Sequence, residues 1–249
     1  MTPVIEVRDL HFSFDDGSRA LRGVSFSIAE GECVGLIGPN GAGKSTLLLH
    51  LNGLLPETWR GASPVLVYGR PVTAESLPEV RRQVGLLFQD PNDQLFCPTV
   101  FEDVAFGPSQ LDLGEAEVRE RVTRALATAG ITGFERRAPH HLSAGEKRRV
   151  CLAGVLACHP SILVLDEPTS SLDPRGRREL KAMLQRIPLT KLIATHDLDL
   201  VVELCSRVIV LDGGLVVAEG STVEVLSNEE LMLRHSLERP HALRHLHPH

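Results

Sequence analysis

The stretch GPNGAGKST, Gly38 to Thr46, constrains the fold of this chain more than any other feature. It fits the phosphate-loop pattern G-x-x-x-x-G-K-[ST], with a continuous apolar run, CVGLIG, before it and a helical stretch, STLLLHLNGLL, after it. The glycines let backbone N–H groups curl around a phosphate, the lysine supplies charge for the β- and γ-phosphates, and the serine hydroxyl can ligate Mg²⁺. The spacing therefore predicts a strand–loop–helix unit that binds a nucleoside triphosphate.

The alternative explanation of this loop, a flexible glycine turn, does not account for its lysine. Lys44 is expected to act in the reaction itself, and Ser45 is expected to hold the metal. The residues predicted to bind the phosphates are Gly38, Pro39, Asn40, Gly41, Ala42, Gly43, Lys44, Ser45 and Thr46.

A second apolar run, ILVLD, ends in Asp166 and is followed directly by Glu167. Ligands of open α/β sheets bind at the C-terminal edge of the strands, so both carboxylates are expected beside the phosphate loop. Asp166 is predicted to hold Mg²⁺, directly or through water. Glu167 is predicted to polarise the attacking water as a general base. An acidic pair after a strand can also cap a helix, but together with a phosphate loop it favours nucleotide hydrolysis.

The order of the expected elements predicts an α/β fold. Half-buried antiparallel strands, VIEVRDL and GVSFSIAEGE, open the chain, and buried strands follow at 161–167 and 191–197 with a helix between them. The stretch from 91 to 159 is mostly helical, and a DGG hairpin turn comes late. We therefore expect a P-loop NTPase (RecA-like) core sheet with an N-terminal antiparallel β-subdomain and an inserted α-helical subdomain.

The 249 residues are long enough for one large domain around a real core. We expect a single domain over 1–249, with its core from 1–90 and 160–220 and its helical subdomain at about 91–159. The tail, 221–249, is polar and is expected to lie partly outside the core. Within the helical part, one face is predicted to carry the apolar residues Val118, Val122, Leu126 and Ala129.

Composition narrows the range of partners. A formal net charge of -6 argues against general nucleic-acid binding, and no nucleic-acid partner is expected. The basic clusters at 147–149 and 175–178 are interpreted as solvated helix faces, with phosphate or partner contacts as the alternative. Five cysteines without a C-x-x-C pair indicate free thiols in a reducing compartment. No apolar run approaches the roughly 18 residues of a membrane span, so a membrane role would require docking onto another protein.

The stretch HHLSAGEKRRV, 140–150, places a serine and a glycine at the start of a further helix, where free N–H groups form a second anion site. With this stretch included, nearly the whole chain resembles the nucleotide-binding subunits of ATP-binding cassette (ABC) transporters. LSAGE, 142–146, matches the family signature LSGGQ, and SLD, 171–173, matches the D-loop. Gln89 matches the Q-loop glutamine, and His196 matches the switch histidine near the γ-phosphate.

The resemblance implies that the chain hydrolyses ATP with Mg²⁺ and works as a head-to-tail dimer, either a homodimer or a pair with another ABC ATPase. The signature helix of one subunit would cover the ATP held by the phosphate loop of the other, so that its Ser143 side chain and backbone N–H groups hold the γ-phosphate in trans. Phe14 would stack on adenine, with a core position as the alternative. The residues so implied to contact nucleotide are Phe14, Gln89, Ser143, Ala144, Gly145, Glu146 and Asp173. The residues expected to act in hydrolysis are Lys44, Glu167 and His196, and those expected to hold Mg²⁺ are Ser45, Gln89 and Asp166.

Two positions depart from the family signature. Ala144 stands where the first glycine is usual, and a methyl group is tolerable there because φ is negative in the first helical turn. Glu146 stands where glutamine is usual. Its carboxylate is favourable to the helix dipole but lies near a polyanion. We expect a competent signature.

The sequence after the Q-loop, from Leu86 to Pro108, is similar to the ATPases of energy-coupling-factor importers, including cobalt and nickel uptake systems. Asp90, Pro91, Gln94 and Phe96 match the Q-D-P-x-x-Q-L-F pattern of that group. The resemblance implies integral membrane transport subunits as partners, with their coupling helices docking near Gln89–Phe96. It places the chain at the cytoplasmic face of the cell membrane as a peripheral protein.

The transported substrate is predicted less directly, from the C-terminal tail. Histidine-rich tails can bind Ni²⁺ or Co²⁺, and a disordered polar tail without a role is the alternative. Cobalt or nickel is the favoured cargo, and vitamins remain open because another subunit selects the substrate. A soluble ABC ATPase acting on DNA or ribosomes is the alternative function, although the chain has no room for a long coiled-coil insertion. The tail histidines are His235, His241, His245, His247 and His249.

Overall fold

The computed structural model describes residues 3–58, 62–238, 240 and 243. The strands and helices are numbered here in chain order. The strands are β1 Ile5–Ser13, β2 Arg19–Ile28, β3 Cys33–Ile37, β4 Val65–Val67, β5 Arg70–Pro71, β6 Val84–Leu87, β7 Ile162–Asp166, β8 Thr190–Ala194, β9 Arg207–Asp212 and β10 Leu215–Ser221. The helices are α1 Lys44–Leu51, α2 Leu77–Gln83, α3 Val100–Ser109, α4 Glu115–Thr128, α5 Ala144–Ala157, α6 Pro174–Arg186, α7 Leu198–Leu204, α8 Thr222–Ser227 and α9 Glu229–Arg234, with short 3-10 helices at Pro91–Asp93 and Pro139–His141.

The central sheet has the strand order β10-β9-β3-β8-β7-β6. The strands from β9 to β6 are parallel, and only β10 pairs antiparallel, to β9 across the predicted DGG turn. Every residue of β7 and β8 is buried, which is why apolar residues follow one another in both strands, ILVL in β7 and LIA in β8, instead of alternating with polar ones. The carboxyl ends of β3, β7 and β8 meet at one edge, where the phosphate loop and the acidic pair follow.

A second, antiparallel sheet has the order β2-β1-β4-β5, with Ile5 opposite Ile28 in the β1–β2 pair. Apolar residues of this sheet, of α1 and of one face of the central sheet form a single core cluster. The helices α3 to α7 contribute to a second cluster on the opposite face. The architecture confirms the predicted α/β class, with a P-loop core sheet, an antiparallel β-subdomain and helices inserted between β6 and β7.

The inserted helices pack as the apolar pattern predicts. Val118, Val122, Leu126 and Ala129 are all buried, and Gly130 has a φ of 65° just after the end of α4. A left-handed residue at that position ends a helix without a steric penalty when it is glycine. Among the described residues no helix is both apolar and long enough to cross a bilayer.

The C-terminal segment is more deeply packed than the sequence suggested. Val225 and Leu226 of α8 and Met232 of α9 are buried in the main core cluster, as are Leu237 and Leu243. These residues belong to the core while others of the segment are exposed, so the described part of 221–249 lies partly inside the core and partly outside it. Hydrophobic residues in two short helices were hidden among polar neighbours, so the tail looked polar on average.

Of the tail histidines, His235 is half-buried, and its Nδ1 lies 2.8 Å from the Asp212 carboxylate. His241, His245, His247 and His249 lie outside the described residues. In the described part of the chain, no group of three or more His, Cys, Asp and Glu side chains is arranged to hold a metal ion.

The basic cluster at 175–178 is a solvated helix face, as predicted, but the cluster at 147–149 contains one buried residue. Arg175, Arg177 and Arg178 are exposed on α6, as predicted for a solvated face. Lys147 is half-buried, whereas Arg148 is only 2% exposed. The prediction of a solvated face is wrong for Arg148, because helical periodicity turns that position towards the interior.

Candidate active site

The phosphate loop is shaped by two glycines whose backbone conformations and surroundings exclude a side chain. Gly38 has a φ of 154°, and a Cβ there would overlap the Leu211 carbonyl. Gly43 has a φ of 101°, and a Cβ there would lie 2.6 Å from the Ala20 carbonyl oxygen. The loop can thus curl tightly onto the start of α1, where the first-turn N–H groups have no intrahelical partners. Such a loop and helix start form an anion site.

The phosphate loop and the turn of the β9–β10 hairpin both pack closely against the Ala20 carbonyl oxygen of β2. A Cβ at Gly214, in the β9–β10 turn, would lie 2.7 Å from the same Ala20 oxygen. The Gly214 N–H donates to the Ala42 carbonyl at 3.1 Å, and the Gly214 carbonyl accepts from the Arg22 N–H at 2.9 Å. The loop, the hairpin turn and the edge of the antiparallel sheet therefore hold one another in place.

Lys44 lies between the loop and the acidic pair. Its side chain is buried, and Nζ donates to the carbonyls of Gly38 at 2.7 Å and Pro39 at 3.0 Å. Burial lowers the pKa of Lys44, and the negative charges of Glu167 and Asp166 oppose that shift. A buried ammonium group this close to a phosphate-sized cradle is suited to binding a polyanion.

Asp166 ends β7 and faces the start of α1. Burial raises the pKa of Asp166, while a side-chain hydrogen bond from Ser45 opposes the shift. The hydroxyl of Ser45 and this carboxylate bring oxygen donors together at the loop, and oxygen donors are what Mg²⁺ prefers. The pair can hold a divalent cation that also contacts phosphate.

Glu167 is held in a strained backbone conformation, with a φ of 45°. Its carboxylate accepts hydrogen bonds from the Thr195 hydroxyl at 3.1 Å and the His196 N–H at 3.1 Å, and it lies 2.8 Å from His196 Nδ1. Left-handed non-glycine residues cost about 1–3 kcal/mol and persist where the surroundings hold them. These contacts fix the carboxylate beside the phosphate loop, where it can accept a proton from water.

A cavity of about 380 Å³ joins these groups. Phe14 is half exposed at its wall and lies edge-on to Phe12, with ring centroids 5.1 Å apart. Ser18 and Arg19 also line it, and the sequence analysis missed both because neither belongs to a recognisable motif. His196 does not line this cavity but contacts Glu167, which does. The lining residues predicted from sequence are Phe14, Asn40, Gly41, Ala42, Gly43, Lys44, Ser45, Thr46, Gln89, Asp166 and Glu167.

The signature residues lie in a separate cavity of about 450 Å³, at the start of α5. Ser143 is the N-cap of α5, and Glu146 forms a capping box with it: Ser143 N and Oγ donate to the Glu146 carboxylate at 2.8 and 2.7 Å. Asp173 accepts a hydrogen bond from the Gly176 N–H and so caps α6. The cavity is lined in part by Ser143, Ala144, Gly145, Glu146 and Asp173. The phosphate-loop cavity and the signature cavity are thus separate within one copy of the chain.

A phosphate loop, an acidic pair after β7, a histidine beside it and a capped signature helix together define a P-loop ATPase of the ATP-binding cassette type. The family model for ABC transporters matches residues 21–170. The chain belongs to the ABC transporter family and is an ATPase.

Related sequences align with nearly the whole chain. A putative ABC transporter ATP-binding protein of Geobacter sulfurreducens is 54% identical over 95% of this chain and 94% of its own length. The energy-coupling factor transporter ATP-binding protein EcfA of Methanothermobacter thermautotrophicus is 49% identical over 95% of this chain and 77% of its own length. The resemblance to energy-coupling-factor ATPases drawn from the Q-loop region is confirmed.

Solved structures share the same fold. The structure of cbiO1 from Clostridium perfringens, part of the ABC transporter complex cbiONQ, superposes with a TM-score of 0.80 and 37% identity, covering 94% of each chain. The ATP-binding cassette MJ0796, a dimer in a post-hydrolysis state with ADP and Pi, superposes with a TM-score of 0.76 and 27% identity, covering 88% of this chain and 98% of its own.

Proposed function

We propose that this chain powers an energy-coupling-factor importer from the cytoplasmic face of the membrane, as one of two ATPase subunits that close around ATP. The observation that carries the proposal is the separation of the nucleotide-binding groups into two half-sites. The phosphate loop lines one cavity, and the signature residues line another. A second cassette facing the first would complete both.

Each group of the first half-site has a part in this proposal. Phe14 stacks on adenine, the loop N–H groups and Lys44 bind the phosphates, and Glu167 accepts a proton from the attacking water. His196, in contact with Glu167, lies where it can donate to the γ-phosphate. Ser45, Asp166 and Gln89 would hold Mg²⁺, which when bound neutralises charge on the phosphates.

The half-sites meet only if two chains pair head to tail. The dimeric relative MJ0796 shows that a cassette of this fold dimerises. Ser143 and the first N–H groups of α5 then reach the γ-phosphate held by the partner's loop. ATP joins the two chains, and hydrolysis releases them.

The test of the dimer uses Glu167→Gln, which keeps ATP binding but removes the general base. We expect this variant to form a dimer with ATP and a monomer without it, measured by sedimentation velocity. Adding Ser143→Arg to Glu167→Gln should abolish the dimer while ATP still binds. A Glu167→Gln variant that binds ATP but stays monomeric would refute head-to-tail closure.

We infer that a groove of about 410 Å³ near the Q-loop receives a helix of the membrane subunit. Phe96 is 63% exposed and lies edge-on to the half-exposed ring of Phe106, with centroids 4.9 Å apart. Asp103 is buried in the same groove, and its Oδ1 accepts from the Phe96 and Cys97 N–H groups while Oδ2 has no partner among the described residues. The exposed rings give the groove an apolar surface, which suits the apolar face of an amphipathic helix.

Docking is tested by co-expressing the chain with the membrane proteins encoded in neighbouring genes. Phe96→Ser should prevent their co-purification without lowering the melting temperature, because the ring is exposed. Leu233→Ser, a similar change at an exposed position on α9, should leave the complex intact. Equal co-purification of both variants would show that the groove is not the docking surface.

Cobalt or nickel is the proposed cargo. The Q-loop region supports it, and the histidines of the tail offer ligands suited to these ions. Cells with the assembled transporter should take up radioactive cobalt or nickel, and Lys44→Ala should abolish the uptake. Replacing His241, His245, His247 and His249 with alanine tests whether the tail contributes. ATP-dependent uptake of a vitamin instead of metal would identify the alternative cargo.

A further inference from the structure

The guanidinium of Arg148 is buried at a junction between three parts of the chain. Nη1 donates to the Phe88 carbonyl at 2.6 Å. Nη2 donates to the Gln89 carbonyl at 2.5 Å and to the Ser170 hydroxyl at 3.2 Å, and Nε has no partner among the described residues. Arg148 itself lies in α5, one turn after the signature serine.

The three acceptors belong to the segments that carry catalytic groups. Phe88 and Gln89 follow β6 and begin the Q-loop, whose glutamine lines the nucleotide cavity. Ser170 lies in the turn after Glu167, and its N–H donates to the Glu167 carbonyl at 3.1 Å. Arg148 therefore links α5 directly to the start of the Q-loop and, through Ser170, to the turn that follows Glu167.

Stability alone does not explain a charge at this position. Burial lowers the pKa of Arg148, while negative groups including Asp90, Asp166 and Glu167 oppose the shift by Coulomb attraction at longer range. Its direct partners are neutral, and Nε has no partner within the described part of the chain. Apolar side chains of similar volume often replace buried ionic groups without loss of stability. An apolar residue could replace the stability that Arg148 contributes, but it could not donate hydrogen bonds in the fixed directions of the planar guanidinium.

We propose that Arg148 is a positioning residue, which sets Gln89 and the Glu167 turn in register with the signature helix so that the two half-sites become active together. This inference rests on the proposed head-to-tail closure. Turning the helical subdomain would move Arg148, and the two carbonyls would move the Q-loop with it. The nearby residues of α5 lack this connection: Lys147 donates to Asn92, and Arg149 pairs with Glu179.

The test compares Arg148→Met with Arg124→Met, which makes the same chemical change at an exposed position of α4 paired with Glu120. Arg148→Met should lower kcat for ATP at least tenfold and leave KM within about threefold, because the phosphate loop and Phe14 are untouched. Arg148→Lys should recover part of kcat, since an ammonium can reach one or both carbonyls. Arg124→Met should match the parent chain. A folded Arg148→Met variant with kcat within twofold of the parent overturns the inference.

If Arg148→Met does not fold, Ser170→Ala tests the positioning role of Arg148 instead. It removes one half-buried hydroxyl and cuts only the link to the Glu167 turn. We expect kcat to fall at least threefold with an unchanged melting temperature and KM, and an unchanged kcat overturns the inference. Nucleotide-dependent dimerisation of Glu167→Gln is measured alongside. A monomer there would refute the proposed closure and with it the coupling of two half-sites, and an Arg148 effect on kcat would then show only that Arg148 positions Gln89 and the Glu167 turn within one chain.

Discussion

Glu146→Gln should change folding stability and nucleotide-dependent dimerisation in opposite directions. In the structure the Glu146 carboxylate accepts from both the N–H and the hydroxyl of Ser143, at 2.8 and 2.7 Å. In the proposed closed dimer the Ser143 hydroxyl donates to the partner's γ-phosphate, but in the structure its proton is already donated within the chain. Glutamine keeps an acceptor oxygen for the capping box but loses the charge.

The magnitude follows from these contacts. Hydrogen bonds to a charged group contribute about 1.5–3 kcal/mol and neutral ones about 0.5–1.5, and the favourable charge–dipole interaction adds about 0.3–1 kcal/mol. Because Glu146 is partly exposed, solvent screening reduces the sum of these differences, and the variant should be less stable by about 1–2 kcal/mol. With the competing acceptor weaker by about 1 kcal/mol at each of two ATP sites, the dimer should bind roughly 30-fold more tightly.

The stabilisation that comes from the negative charge of Glu146 should depend on pH. The hydrogen bonds from Ser143 lower the pKa of Glu146. A lowered pKa in the folded state means that the stabilisation is complete above the ordinary glutamate pKa of about 4.3 and is lost as pH falls through the lower folded value. The stability difference between parent and variant should therefore be constant near neutral pH and shrink in acid.

The assays are urea unfolding for stability and sedimentation in a Glu167→Gln background for the dimer. The chain offers a matched control in Glu102→Gln, because Thr99 and Glu102 form the same capping box at the start of α3. Glu102→Gln should cost similar stability and leave the dimer unchanged. If Glu146→Gln weakens the dimer, or if both variants strengthen it equally, the reasoning about the Ser143 hydroxyl is wrong.

Three further outcomes are expected. Lys44→Ala should lower phosphate release about 10²- to 10³-fold, as the loss of one transition-state donor does, while Lys181→Ala should not. Gly43→Ala should destabilise the fold by about 2–4 kcal/mol in urea unfolding, since it combines a φ of 101° with a contact at 2.6 Å; Gly41→Ala, with open space around it, should cost less. Truncation after Gly220 removes buried apolar side chains of α8 and α9, and should lower the melting temperature sharply; an unchanged value would contradict the packing of these helices.

The central features of the fold could be predicted because their sequence signals are local. The phosphate loop lies between a continuous apolar strand and a helix, and the loop, β7 and β8 occur where their patterns indicate. The capping box at Ser143 and Glu146 also had a signal, the S-x-x-E spacing, although its consequence for the serine hydroxyl required the structure. The site roles of these residues remain predictions that the experiments above test.

The elements that were missed carry weak local signals. The strands β4 and β5 have three and two residues, too few for a period to show. The helices α8 and α9 have six residues each, and mix buried apolar positions with acidic ones. Arg148 sits in a run of three basic residues, and a charge run does not reveal which member faces inward. Burial depends on packing against distant segments.

The close fit around the Ala20 carbonyl has a practical consequence for protein engineering. Hairpin tips are usually safe places to graft a reporter peptide or an affinity tag. The Gly213–Gly214 tip is an exception here, because an insertion would break the hydrogen bonds that the Gly214 backbone makes with Ala42 and Arg22. The tip at Gly69, where the glycine has open space around it, is the better graft position.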